Sequence, residues 1–442
     1  MQRKLLLFLL VTSLAFIWQK ELRAFCGFYV ARADAKLFNK ASRVVLVRNG
    51  NRTVIGMMND YQGKLKDFAM VVPVPVILKR EQINVGDPKV FDHLDAYTAP
   101  RLVEYHDANP CEMRVYEEED GAVPTSAPEA PTEAKAKDEK LGVKVEASYS
   151  VGEYNIKILS AKYSNGLETW LRHNKYKIPA GASKALKPYI QQKMKFFVAK
   201  VNLKKQLKSG LSYLRPLQFA FESEKFMLPI RLGMLNANGA QELLVYVLTK
   251  NGRVETSNYR TVKLPSNVEV PEYVMQDFGP FYTSMFDHQV AKQEHKAVFT
   301  EYFWDMSWCD PCAANPLSQK ELRSLGVFWL NEQNQGQAQK VMATRLHLKY
   351  TNKTFPEDLM FQETQDRQNF QGRYIIQHPW GGSRKDCSAA ESYFDNLEKR
   401  KITRAKKLAE LTGWKLPDIY QKMQLDVSNS SVGTEWWQKI WN

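Results

Sequence analysis

The sequence predicts an α+β protein, with a β-rich N-terminal part built on a mainly antiparallel sheet, followed by a mixed α+β C-terminal part. Three observations predict it. Short β-branched and aromatic runs bounded by turn residues recur from Val44 to Leu264. After Pro271 the elements become longer and mixed, and Ser388 to Leu411 carries an imperfect helical apolar face. With 442 residues, 44% apolar and 12% aromatic, the chain can support two core-forming units and is too hydrophobic for wholesale disorder.

The first element is a targeting segment. Arg3 and Lys4 precede an apolar run from Leu5 to Trp18, and a short polar stretch ends at Ala24. This is the layout of a secretory signal, and the run is shorter than the roughly 20 residues of a membrane span. Residues 1–24 are therefore expected to be a signal peptide and the mature chain to be periplasmic or secreted, with no transmembrane segment. Phe25 before Cys26 does not suit a lipoprotein box. The formal charge of +14 falls to +11 when the signal's four basic residues and Glu21 are removed. A basic balance favours anionic surfaces and polymers, and the expected partners are an envelope polymer or protein, not a specific nucleic acid.

VVLVRNGNRTVIGMM, from Val44, is two strands around an Asn49-Gly50-Asn51 turn. In FAMVVPVPVIL, Pro73 and Pro75 leave two missing N–H groups on one edge, which fits an edge strand or a sheet crossing. A helix broken near Pro100 is expected over His93–Tyr105. Glu117–Lys140 has no aromatic residue and mixes proline, alanine and charge, so it is expected to be a disordered loop within one domain. Strands follow at Val143–Tyr149 and Tyr154–Ala161, helices at Gly166–Arg172 and Ala182–Lys193, and then FFVAKVNL, LQFAFES, FMLPIRL, ELLVYVL and YRTVKL as strands. The second part contributes a helix at Tyr282–Gln293, strands at Val298–Trp304, Val341–Tyr350 and Phe370–Ile376, and a basic helix from Ser388 to Leu411 stopped by Gly413. The expected domains are thus 25–265 and 266–442, the second ending in that helix and a Trp-rich tail.

Cys26-Gly27-Phe28, NKASRVVLVRNG, DYQG with FAMVVPVPV, LETWLRHNKYKIP, LRPLQFAF, FMLPIRLG, WCDPC, TRLHLKY and FQGRYIIQHPW together make the chain resemble the bacterial exported family known as domain of unknown function 2330. The resemblance implies export and carries no established activity, cofactor or ligand. Some relatives look as if they end in a membrane anchor, whereas this chain ends GTEWWQKIWN, so anchoring does not carry over.

The sharpest motif is WCDPC, with Trp308, Cys309, Asp310 and Cys312. A thioredoxin-like dithiol needs its first cysteine at a helix start, where the dipole lowers the thiol pKa. Here the helix-start signals, Asn315-Pro316 and Ser318 with Glu321, lie downstream. A structural disulfide is expected, with a thiol-disulfide oxidoreductase using Cys309 and Cys312 as the alternative. A zinc site of Cys309, Cys312 and Cys387 with His378 or His347 has the right ligand number, but an oxidising compartment works against it. Cys309 pairs with Cys312, or one of them with Cys387; Cys26 with Cys111 is the other natural bridge. Asp305 and Glu301 form a weak acid/base candidate, and His288 and His295 a weak ligand pair. No HExxH, GxSxG, Walker loop or GxGxxG is present, and Asp277-Phe278-Gly279 lacks its kinase partners. The reading leans away from an enzyme and expects no cofactor. It favours a binding or structural module.

Overall fold

The structure, a computed structural model, describes residues 28–29, 38–39, 42–58, 61–62, 69–112, 142–174, 176, 181–202, 204–205, 214–236, 239–308, 310, 315–330 and 339–425. The signal segment, the whole of the 117–140 segment expected to be a loop and the Trp-rich tail lie outside them, as do Cys26, Cys309 and Cys312.

Two sheets pack face to face. The larger has the order Arg260–Lys263, Ala297–Asp305, Met342–Tyr350, Gln241–Thr249, Ser42–Asn49, Arg52–Met58, Leu217–Glu222 and Ile83–Val85, with Phe370–Gln371 also pairing with Ala297–Asp305. The smaller runs Phe28–Tyr29, Ala69–Val74, Lys195–Val201, Tyr154–Ala161 and Val143–Val151, antiparallel throughout. The alternation of strand side chains divides the core. Val44 and Leu46 point inward to meet Met70, Val72, Ile156, Ile158 and Phe197 of the other sheet. Val45 and Val47 point outward, against Val90, Phe91, Leu94 and Tyr97 of helix Pro88–Thr98 and Leu322 of helix Gln319–Ser324. On the far side of the smaller sheet, helices Ser164–His173 and Ala182–Gln191 bury Leu167, Leu171, Leu186 and Tyr189. Helices Phe278–Lys292, Ser388–Thr412 and Leu416–Lys422 cover the rest of the larger sheet's outer face through Phe281, Met285, Phe286, Leu408 and Ile419. The result is four layers, helix–sheet–sheet–helix, each pair closed by its own apolar cluster. No described helix is long and apolar enough to cross a membrane.

The α+β class and the order of most elements agree with the sequence. The Asn49–Arg52 pair closes a two-residue turn with Gly50 at φ 55°, the left-handed conformation such a turn requires. Ala69–Val74 is paired along its length with Lys195–Val201, but on its other side only at Met70 and Val71, so Pro73 falls where that edge has no described partner. Ser318 and Glu321 form a capping box at helix Gln319–Ser324, downstream of WCDPC as their spacing indicates. Gly413 ends its helix at φ 74°.

Expectations change at two elements. The helix expected from His93 begins at Pro88, because Asp87 caps it by accepting from the Lys89 amide and proline is suited to a first turn; it ends at Thr98, and Arg101–His106 is a strand. The larger sheet is mainly antiparallel, as expected, with two parallel pairings: Ser42–Asn49 with Gln241–Thr249, and Arg260–Lys263 with Ala297–Asp305. Only Met227–Leu228 of FMLPIRL is strand. The larger sheet takes strands from both sides of the 265/266 boundary, with Ala297–Asp305 and Met342–Tyr350 side by side between Arg260–Lys263 and Gln241–Thr249. The change of texture after Pro271 marks longer elements joining a sheet already begun.

A third, parallel sheet sits beside them in the order Val268–Glu269, Arg373–His378, Arg101–His106, placing His378 opposite His106. The chain also approaches itself closely at Gly252, where a Cβ would lie 1.9 Å from the Thr364 carbonyl oxygen. Because that neighbour is backbone, Gly252→Ala is expected to destabilise by more than about 2 kcal/mol. Urea unfolding checks it; a variant equal to the wild type would show that the Thr364 loop yields freely.

Candidate functional site

The side chains of greatest chemical potential gather at a bulge. Thr300 lies opposite Leu346 and Tyr302 opposite Arg345, so Glu301 is an extra residue in its strand. A bulge re-aims side chains, and this one sends Glu301 to the helical face beside Arg345 and His347, alternate residues of the next strand. Glu301 Oε2 accepts from Arg345 Nε at 2.6 Å, and Oε1 faces His347 Nδ1 at 2.6 Å while also accepting from the Tyr282 hydroxyl. His347 Nε2 reaches Glu242 Oε1 at 3.1 Å. Arg345 Nη1 donates to Asp95 Oδ1 at 2.6 Å, an oxygen that also accepts from the Tyr246 hydroxyl at 2.6 Å. The Phe286 ring lies over His347, centroids 3.7 Å apart and planes 4° from parallel.

Glu301 is 0% and His347 2% exposed. Burial alone would raise the carboxyl pKa and lower the imidazole's; the opposing charges override it. Beside His347 and Arg345, Glu301 is held down at about 2, and beside Glu301 and Glu242, His347 is pushed up to about 9. Both are charged at neutral pH. The network fills the seam between the apolar cluster under helix Pro88–Thr98 and the one under helix Phe278–Lys292, tying both helices to the sheet. Glu301 and His347 are buried, and the carboxylate oxygens and both ring nitrogens already face protein partners, which keeps a substrate from them.

The residues singled out from sequence are dispersed. The Asp305 carboxylate, at the end of its strand, accepts from the Ser307 amide at 3.0 Å and hydroxyl at 2.6 Å, shaping the turn that follows, whereas Glu301 is engaged in the buried seam. Trp308 is 48% exposed, and its carbonyl accepts from the Trp304 indole at 3.2 Å. Asp310 accepts from the Tyr302 hydroxyl at 3.0 Å and from Gln371 at 2.9 Å. His378 stacks on His106 and bonds Glu104 at 2.8 Å.

The cysteines need a correction. Cys111 is bonded to Cys387, with Cα atoms 6.0 Å apart, and so is not bridged to Cys26. The cause is the parallel register: His106 and His378 end side by side, the Asp107 amide donates to the His378 carbonyl at 2.8 Å, and the two loops leave together. Cys387 is therefore paired neither with Cys309 nor with Cys312, and a bonded Cys387 cannot serve the zinc set. Among the described residues no group of three His, Cys, Asp or Glu is placed to hold a metal.

Among the described residues, a groove of about 340 Å³ opens between the two sheets. Its walls come from both sheets: Ile55 and Phe221 from the larger, Pro73 from the smaller, with Pro75, Val76 and Met227 nearby. The mouth is polar along one side, from Glu222 to Lys225. Glu222 pairs with Arg52 at 3.0 Å and the Lys225 ammonium bonds the neutral Gln192 amide at 2.8 Å. Glu224 is exposed in that rim. Sequence reading found Pro73 and Pro75 but could not see that the 222–225 turn faces them.

Fold and site define an α+β protein of two stacked sheets with helical outer layers, braced by a buried ionic seam and with a groove between the sheets. A family described as uncharacterized proteins conserved in bacteria, domain of unknown function 2330, matches residues 21–362. The chain belongs to that family. No curated protein and no solved structure matches it.

Proposed function

We propose that the protein is an exported binding module of the bacterial envelope whose groove takes an apolar peptide segment carrying a basic group. The observation that carries this reading is the groove itself, with apolar walls drawn from both sheets and a polar rim on one side, the general form of a ligand site. The rim decides the ligand's charge. Glu222 is matched by Arg52 and the Lys225 ammonium is held on Gln192, which leaves the exposed Glu224 carboxylate as the rim charge open to a ligand's cationic group. The sealed state of the Glu301–His347 seam supports a module that binds over one that catalyses.

Calorimetric titration of the full chain with the peptide amide Leu-Pro-Leu-Lys tests it. Saturable binding is expected, weakened about tenfold, some 1.4 kcal/mol, by Met227→Gln. Glu224→Gln should weaken the lysine peptide but not its acetyl-lysine form. Binding that ignores Met227→Gln, or none at all, rejects the groove.

A further inference from the structure

The Cys111–Cys387 bond joins the family-matched part of the chain to a segment beyond residue 362. Its two ends differ. Cys387 is the N-cap of the 25-residue helix Ser388–Thr412, in extended backbone and with no side-chain capping bond. The first N–H groups of a helix lack intrahelical acceptors and carry the positive end of its dipole, so a thiolate released at Cys387 is stabilised there. Cys111 sits in an exposed turn outside any helix, its amide donating to Asn109 Oδ1 at 3.0 Å. Cys387 is the less exposed of the two. The better leaving group and the more exposed cysteine are therefore at opposite ends of the bond, which gives attack a direction.

What the bond fastens is also uneven. Of the helix's buried residues, only Ala390 and Leu397 precede Arg404, while Arg404, Ala405, Leu408, Leu411 and Thr412 follow in its last turns. Between the disulfide and that apolar anchorage, the Trp380 amide donates to the Tyr393 hydroxyl at 2.7 Å and Arg384 pairs with Asp395 at 2.6 Å, both from the segment just before the helix, and one polar cluster ties the helix to the neighbouring strand end. Asp107 accepts from the Tyr393 hydroxyl at 2.6 Å, from Gln377 at 2.9 Å and from the Arg400 guanidinium.

We propose that Cys111–Cys387 is an exchange-competent disulfide, opened from the Cys111 side by a dithiol donor, which loosens the start of helix Ser388–Thr412 as far as Tyr393 while its C-terminal half stays docked. The donor's thiolate attacks Cys111 Sγ, forming a mixed disulfide and expelling the Cys387 thiolate. The donor's second thiol then displaces Cys111 Sγ and closes the donor's own disulfide. Two electrons pass from donor to protein, the donor's two protons end on the released cysteines or in solvent, and the protein gains two thiols. The inference is independent of the groove.

Reduced glutathione, a monothiol that stops at the first step, reports the direction. Native full-length protein is exposed to it, acid-quenched and mapped by peptide mass spectrometry. Glutathione on Cys111 with Cys387 free is expected. Glutathione chiefly on Cys387, or a bond that dithiothreitol opens only after urea unfolds the chain, overturns the proposal. Hydrogen exchange after dithiothreitol treatment reports the release: amides of residues 392–396 should exchange at least about fivefold faster, those of 404–412 little changed. In Asp107→Asn the faster region should extend toward Arg400. A uniform change along the helix, or none, also overturns it.

Discussion

Glu301→Gln is expected to destabilise the native chain by about 3–5 kcal/mol, the cost of stranding buried charges without their partner. Arg345 and His347 would retain only their outer carboxylates, Asp95 and Glu242, with an amide in place of the fully buried carboxylate that now stands between them. The comparison that isolates the cause is a variant in which Glu301, Arg345 and His347 all become apolar residues of similar size. It should be less destabilised than the single change, because no charge is left buried alone. Urea unfolding followed by tryptophan fluorescence measures both. A Glu301→Gln protein within about 1 kcal/mol of wild type would mean that water reaches the seam and the charges are solvated.

Stability should also fall above neutral pH. His347 has a folded pKa raised from 6.5 to about 9, so its contribution is complete below 6.5 and lost as pH climbs through 9. Glu301 behaves oppositely: its pKa is lowered from 4.5 to about 2, so its contribution holds above 4.5 and is lost as pH drops through 2. Together they favour the window between roughly 4.5 and 6.5, with a loss on the order of 3 kcal/mol by pH 9. His347→Gln should be less stable at pH 6 and should flatten the alkaline limb. An unchanged limb in that variant would assign the slope to other groups.

Much of the layered fold can be read from local pattern, since alternation in VVLVRNG or ELLVYVL reports a strand and Ser318 with Glu321 a helix start. Partners of such strands cannot be read the same way. Val45 faces a helix and Val44 the other sheet, yet both are valines in one run. The seam was half visible: a glutamate within FTEYFW and the alternating Arg345 and His347 of TRLHLKY are charges amid apolar strands, a warning that they must meet. Their union depends on a bulge that periodicity does not announce. The Cys111–Cys387 bond was hidden for a similar reason, since parallel register across more than two hundred residues leaves no local mark.

That register governs how the chain can acquire its shape. Arg101–His106 has one described strand partner, Arg373–His378, and Ser42–Asn49 pairs on one side with Gln241–Thr249. Early segments must therefore wait, with edges and apolar faces uncovered, until late ones are available. Such non-local pairing makes for slow folding and for exposure to misassembly on the way. A fragment cut at residue 362, where the family match stops, would contain Arg101–His106 without the strand that completes it. Expression of the matched region alone should thus yield an aggregation-prone product, and the residues beyond it are required for a closed fold.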